Sequence, residues 1–170
     1  MSHSAPESHR SYAPLCVGVA VVTVSDSRTP ETDTSGDLIA SRILGAGHKV
    51  MARAIVPDDP CQIRERVLHA VASQDIDAVV LTGGTGVSPR DSTIECVEPL
   101  LQKVLVGFGE LFRALSFEEI GAAAMLSRAV AGTAERTAIF AIPGSSGAVR
   151  LALDRLIVPE LAHLIGQLRR

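Results

Sequence analysis

Apolar and polar residues fall into blocks along this chain, and the block lengths alternate between those of strands and those of helices. Val17 to Val24 (VGVAVVTV) is a continuous β-branched run. A run of that length with no polar alternate face predicts a strand buried on both sides. The polar stretch SDSRTPETDT follows as a loop. Ser35-Gly36-Asp37 then leads into LIASRILGAG, where Leu38, Ile39, Ile43 and Leu44 recur at helical spacing until Gly45 to Gly47 end the pattern. Val50 to Val56 predicts a second strand, stopped by Pro57. Asp59-Pro60 is a helix start, an N-cap residue followed by proline at the first position, and this helix runs to about Ser73.

Ala78 to Thr82 (AVVLT) predicts a third buried strand, followed by the glycine-rich loop GGTGVSPRD. Asp91, Ser92 and Thr93 can cap the next helix, which reaches about Leu101. Phe108 to Arg128 is mostly helical, in two pieces. Ala138 to Ile142 (AIFAI) predicts a later strand, followed by PGSSG, and helices from Ala148 and from Pro159 close the chain. Strands that alternate with helices imply right-handed crossovers and a mostly parallel sheet, so the predicted fold is a three-layer α/β/α sandwich. Residues 1–14 (MSHSAPESHRSYAP) are too polar to bury apolar surface and read as a disordered tail, His3 and His9 included. Residues 15–170 read as one domain.

Composition narrows the core and the partners. Of 170 residues 46% are apolar, with no Trp, one Tyr and four Phe, so Val, Ile, Leu and Ala must build the interior. A net charge of −3 supplies no basic field for nucleic acid. No run approaches the ~18 apolar residues of a membrane span, and no basic segment precedes an apolar stretch at the N-terminus. Cys16, Cys61 and Cys96 are widely spaced and read as small buried thiols in a reducing, cytoplasmic setting. His48, His69 and His163 are ungrouped and read as core or surface histidines.

Ligands of such folds sit beyond the carboxyl ends of the strands. There the sequence places Ser25-Asp26-Ser27-Arg28, Pro57-Asp58-Asp59, Gly83-Gly84-Thr85-Gly86 with Pro89-Arg90-Asp91, and Pro143-Gly144-Ser145-Ser146-Gly147. Glycines let backbone N–H groups approach an anion, hydroxyls add donors, and helix N-termini add a favourable dipole. A single such loop is as readily a tight turn; four at one edge point to phosphate and metal chemistry. The loop lacks the Gly-Lys-Ser/Thr of a Walker A element and the G-x-G-x-x-G of a dinucleotide site. Asp58 and Asp91 each follow a strand and can face one crevice, where carboxylates together with substrate phosphates suit Mg²⁺. Competing readings are a helix N-cap for Asp91 and a turn residue for Asp58, with Asp59 better placed to cap. Arg28 and Arg90 read either as helpers or as solvated side chains.

At these residues the sequence resembles the molybdopterin adenylyltransferase family of the MogA/MoaB type, from about Val17 to the C-terminus. The motifs that carry it are Thr82-Gly83-Gly84-Thr85-Gly86, Arg90-Asp91, Gly107 to Arg113 (GFGELFR), Leu126 to Gly132 (LSRAVAG) and Pro143-Gly144-Ser145. The resemblance implies a homotrimer or homohexamer and a reaction in which MgATP adenylylates the terminal phosphate of molybdopterin, releasing pyrophosphate. It also implies that Asp58 and Asp91 are the essential acidic residues, catalytic and metal-holding. Gly83, Gly84, Thr85 and Gly86 would contact phosphate and nucleotide, with Ser25 and Ser145 nearby. Mg²⁺ would be the cofactor, ATP and molybdopterin the partners.

The sequence departs from the family's D-x-T-P-E, which here reads Asp91-Ser92-Thr93-Ile94-Glu95, and Ser146 stands where a proline often follows Pro-Gly-Ser. Three other readings remain: a molybdopterin binder that does not transfer, a domain like those of competence-damage-type proteins, and a NAD enzyme. The GFGELFR segment reads either as a subunit contact or as core packing.

Overall fold

The computed structural model describes Pro14 and residues 16–170. The expected tail, Pro14 apart, lies outside the described residues. Its elements are β1 (Gly18–Val24), α1 (Thr34–Gly45), β2 (Lys49–Val56), α2 (Pro60–Ala72), β3 (Ala78–Thr82), α3 (Thr93–Val97), β4 (Lys103–Val104), α4 (Val106–Ile120), β5 (Val130–Ala134), β6 (Thr137–Ile142), α5 (Ser146–Ala152) and α6 (Val158–Leu168). A 3₁₀ turn, Glu98–Leu100, follows α3, and a longer one, Gly121–Leu126, follows α4.

The sheet has six strands in the order β2-β1-β3-β6-β5-β4. The first four run parallel. β5 is antiparallel to β6, and β4 to β5. The three-layer, mostly parallel reading therefore holds, with a short antiparallel extension at one edge. β1, β3 and β6 are buried along their whole lengths, as their apolar runs require, whereas the edge strand β2 alternates exposed and half-buried residues along most of its length. One core packs α1, α4, α5 and α6 against one face through Val19, Val21, Ile39, Phe112, Phe140 and Leu161. The other packs α2 and α3 against the opposite face through Val22, Ile63, Val67, Leu81 and Ile139.

Local chemistry sets the element boundaries. Asp59 accepts the Gln62 N–H at 2.9 Å and Pro60 opens α2, as the sequence predicts. Asp33 does the same for α1, accepting Gly36 N–H at 2.9 Å. The other carboxylate oxygen of Asp33 accepts the Thr23 hydroxyl at 2.9 Å, so a buried acid ties β1 to α1. Between α5 and α6 the helix widens into a π turn, Leu153–Ile157. Pro159 cannot donate to the ladder, and the wider turn admits it without breaking the rod.

Two strands went unpredicted. β5 is rich in Ala and Gly and has a weak strand signal. A Cβ on Gly132 would sit 2.4 Å from the Lys103 carbonyl oxygen, so only glycine there allows β4 to pair. The cysteines also differ from expectation: Cys96 is buried, Cys16 half-buried and Cys61 exposed, since Cys61 falls on the outer face of α2. In GFGELFR, Phe108 and Phe112 enter the core, with Phe108 edge-on to Phe140 at 5.5 Å, while Leu111 stays exposed. Among the described residues no helix is long and apolar enough to cross a membrane.

Candidate functional site

The carboxyl ends of β1, β3 and β6 converge at Gly83. Its N–H donates to the Ile142 carbonyl at 3.2 Å, and a Cβ there would lie 2.3 Å from the Val24 carbonyl oxygen. Gly83 and Gly84 have φ of 97° and 61°, the left-handed region in which glycine is at ease. At Gly84 a Cβ would meet the Thr93 hydroxyl at 2.5 Å and the two Asp58 oxygens at 3.0 and 3.1 Å. At Gly86 it would meet Asp91 Oδ2 at 2.7 Å. The two predicted carboxylates thus flank the same loop, from the strand ends of β2 and β3.

The loop is polarised. The Gly83 carbonyl accepts from the Thr93 hydroxyl, the Gly84 carbonyl from the Thr93 N–H and the Thr85 carbonyl from Arg128 Nε, each at 2.9 Å. Among the described residues the N–H groups of Gly84, Thr85 and Gly86 donate to nothing. Three consecutive carbonyls are therefore engaged within the protein, and three successive donors stay available to an anion.

Asp58 accepts the Ser92 hydroxyl at 3.2 Å, and its own N–H donates to Asp26 at 3.2 Å. Burial pushes the Asp58 carboxyl up. The hydrogen bonds from Ser92 oppose this, and the like charges of Asp91 and Asp26 add to it. Asp91 accepts the Ser88 N–H at 2.8 Å and closes a turn within its own loop. The N-cap reading of Asp91 is not what the structure places there: Ser92 occupies the position before α3, with no side-chain cap bond. Arg90 is exposed and paired with Asp26 at 2.6 Å. Arg28 is exposed and donates to the Thr32 carbonyl.

Ser25 and Ser145 lie on the rim in local roles. The Ser25 oxygen accepts Ser27 and Arg28 N–H groups at 3.3 and 3.2 Å, which shapes the loop after β1. Ser145 caps α5, accepting the Ala148 N–H at 3.3 Å. Thr82 and Ser35 both donate to the Pro143-Gly144 turn, at 3.2 and 2.8 Å, and so tie β6's loop to β3 and α1.

Four residues lie outside the predicted site set. Asp26 joins the loops after β1, β2 and β3, and Asp33 is buried behind them. Arg128 and Glu95 form an ion pair beside Thr85. Arg128 holds the Glu95 carboxyl below the usual range, and Glu95 raises Arg128 in return. A parallel strand points to the residues that follow it, but β5 is antiparallel, so at this rim the residues that precede it count. Arg128 stands in the LSRAVAG motif, but an Arg two residues before a strand of unknown direction has no assigned role there.

Among the described residues no group of three or more His, Cys, Asp or Glu side chains could hold a metal ion. Two acidic side chains beside a donor-rich loop still suit Mg²⁺, which takes one or two carboxylates and completes its shell with substrate phosphates and water. Asp58 and Asp91 are the residues that would hold it.

The family described as "Probable molybdopterin binding domain" matches residues 20–163. The molybdenum cofactor biosynthesis protein B of Bacillus cereus is 52% identical over 163 residues, which span 95% of this chain and 96% of that protein. A crystal structure of a molybdenum cofactor biosynthesis protein B superposes with a TM-score of 0.91 at 52% identity, over 93% of this chain and 99% of that one. The tungsten cofactor synthesizing protein MoaB from Pyrococcus furiosus superposes with a TM-score of 0.83 at 38% identity, over 93% and 100%. By the family match, the identity over nearly the whole of both chains and the shared fold, the chain belongs to the molybdopterin-binding domain family of the MoaB and MogA type.

Proposed function

We propose that this protein acts in molybdenum cofactor biosynthesis, binding molybdopterin and adenylylating its terminal phosphate with ATP. The observation that carries the reading is the polarised loop: free N–H groups at Gly84, Thr85 and Gly86, with Asp58 and Asp91 against it. The attacking group would be an oxygen of the pterin's phosphate, already largely ionised at pH 7, so no general base is required. That oxygen bonds to the α-phosphorus of ATP, the bond to the β-phosphate's bridging oxygen breaks, and pyrophosphate leaves.

What the chain's own residues supply is placement of two polyanions and donors for their charge. Gly84 to Gly86 orient phosphate oxygens, and the rim hydroxyls of Ser25 and Ser145 lie on either side of the loop's strand. Mg²⁺, when bound through Asp58 and Asp91, supplies neutralisation of the transferred phosphate. The reading is of a cytoplasmic enzyme.

Self-association belongs to the same proposal. α4 and the 3₁₀ turn after it expose Leu111, Phe117, Ile120, Met125 and Leu126, with Met125 81% and Phe117 62% exposed. Beside them lies a hollow of about 430 Å³ lined by Arg113, Ala114, Phe117, Ala122, Ala124 and Met125. A contiguous apolar surface of this kind marks an interface, and a homotrimer or homohexamer would cover it.

The test is pyrophosphate release from purified protein given molybdopterin, Mg²⁺ and ATP. Release that needs all three supports transfer. A second reading, pterin binding without transfer, is favoured by Arg90, whose guanidinium is engaged by Asp26 at 2.6 Å. Tight molybdopterin binding with no pyrophosphate would establish it.

A further inference from the structure

We infer that Arg128 is the positioning residue of the glycine loop: its guanidinium fastens the Thr85 carbonyl so that the loop's N–H groups are presented to phosphate. The inference rests on the reading that this loop holds phosphate. Arg128 and Glu95, which carry it, lie outside the predicted site residues, and Thr85 lies among them.

Of the three engaged carbonyls, two are fastened by Thr93, which opens α3. Only the third, Thr85, is fastened from a distant part of the chain. Arg128 lies between the 3₁₀ turn after α4 and the start of β5, and β5 is anchored by its full pairing with β6. Glu95, one helical turn past the carboxylate loop, takes the other two guanidinium nitrogens, NH1 and NH2, the latter at 3.3 Å. The guanidinium is thus fixed on two sides, by the Glu95 carboxylate and the Thr85 carbonyl. Thr85 itself is 3% exposed, so its carbonyl has no ready substitute from water. Should Arg128 be lost, the Thr85 peptide is free to turn, and a carbonyl oxygen that faced an incoming phosphate would repel it.

Lysine cannot do this work. An ammonium can reach either the carboxylate or the carbonyl, but it lacks the planar fork that serves both at once. Charge alone is kept in Arg128→Lys, and geometry is lost, which separates positioning from a simple electrostatic attraction for anions.

The experiment measures MgATP binding by calorimetry and steady-state kcat and KM for wild type, Arg128→Ala, Arg128→Lys and Glu95→Gln, with circular dichroism melts of each. Arg128→Ala and Arg128→Lys are both expected to weaken MgATP binding about 10- to 100-fold, the scale of an ångström-sized misplacement, with KM rising more than kcat falls. Glu95→Gln, which frees the fork without removing it, should weaken binding less. Addition of N-methylguanidinium should restore binding to Arg128→Ala. If Arg128→Ala is unfolded, Arg128→Lys and Glu95→Gln decide.

Arg128→Lys binding MgATP as wild type does would overturn the inference, as would a lowered melting temperature with affinity and KM unchanged. Either result leaves the proposed function standing, because wild type binds in both. Wild type that binds no MgATP would overturn the proposed function itself, and this inference with it.

Discussion

Ser92 donates its hydroxyl to Asp58 at 3.2 Å, so the residue next to Asp91 on the β3 loop holds the carboxylate of the β2 loop. Two acidic groups from distant parts of the chain are thereby locked beside one another, at a cost. The Asp58 carboxyl is pushed up by burial first, and by its acidic neighbours Asp91 and Asp26 after that. A carboxyl whose folded pKa lies above its unfolded one lowers stability while ionised, and the cost is relieved as pH falls. Asp58→Asn keeps an oxygen for Ser92 and removes the charge. Thermal melts at pH 7 should place this variant at or above wild type, while adenylylation drops by two or more orders of magnitude, roughly the scale of removing a preorganised charge-stabilising group. A variant both less stable and active would count against the role given to Asp58.

Gly84→Ala combines a φ of 61° with a Cβ only 2.5 Å from the Thr93 hydroxyl. Left-handed backbone and a lost Thr93 contact should destabilise by about 1–3 kcal/mol. Urea denaturation gives the stability, and calorimetry should show MgATP affinity falling along with it. Gly147→Ala, where a Cβ in α5 meets open space, is the control and should leave MgATP affinity unchanged and stability equal or slightly raised.

Asp33→Ala removes the α1 cap and leaves the Thr23 hydroxyl, buried at 4% exposure, without its acceptor. Cap loss costs about 0.5–2 kcal/mol and an unsatisfied buried donor about 1–3. Denaturant midpoints should record a loss of roughly 2–4 kcal/mol, with Asp33→Asn losing much less because an amide oxygen can still accept.

His48 accepts the Val17 N–H at 3.4 Å, and burial lowers its pKa from the usual 6.5. The unfolded chain therefore protonates His48 first as pH falls. Stability from this group is fully present above about pH 6.5 and is lost on acidification through the lowered folded value. Denaturant midpoints followed from pH 8 to 5 should decline more steeply for wild type than for His48→Gln. Parallel curves would show that His48 carries no such linkage.

Phe117→Glu places a charge on the exposed apolar surface of α4. Light scattering behind size exclusion should report a smaller species than wild type, at unchanged helix content. A wild-type monomer would remove the assembly from the proposal.

Much of this was legible beforehand. Long β-branched runs place β1 and β3, Asp59-Pro60 sets the start of α2, and glycine and acidic residues mark the rim after each parallel strand. Those signals are local, set by propensity and capping within a few residues. What stayed hidden depends on partners far away in sequence. β5 becomes a strand because β6 and β4 pair with it, and Gly132 makes that approach possible. Its reversed direction then carries Arg128 to the rim, 43 residues from the carbonyl that it holds. Asp26 likewise reads as one acid in a polar loop until Asp58 and Arg90 are folded against it.

The most direct measurement is a crystal structure of the protein soaked with molybdopterin, Mg²⁺ and a non-hydrolysable ATP analogue. Phosphate oxygens within hydrogen-bond reach of the Gly84, Thr85 and Gly86 nitrogens, with a cation between Asp58 and Asp91, are the result this reading requires. Ligand seated elsewhere, with the glycine loop empty and the two carboxylates bare, would contradict it.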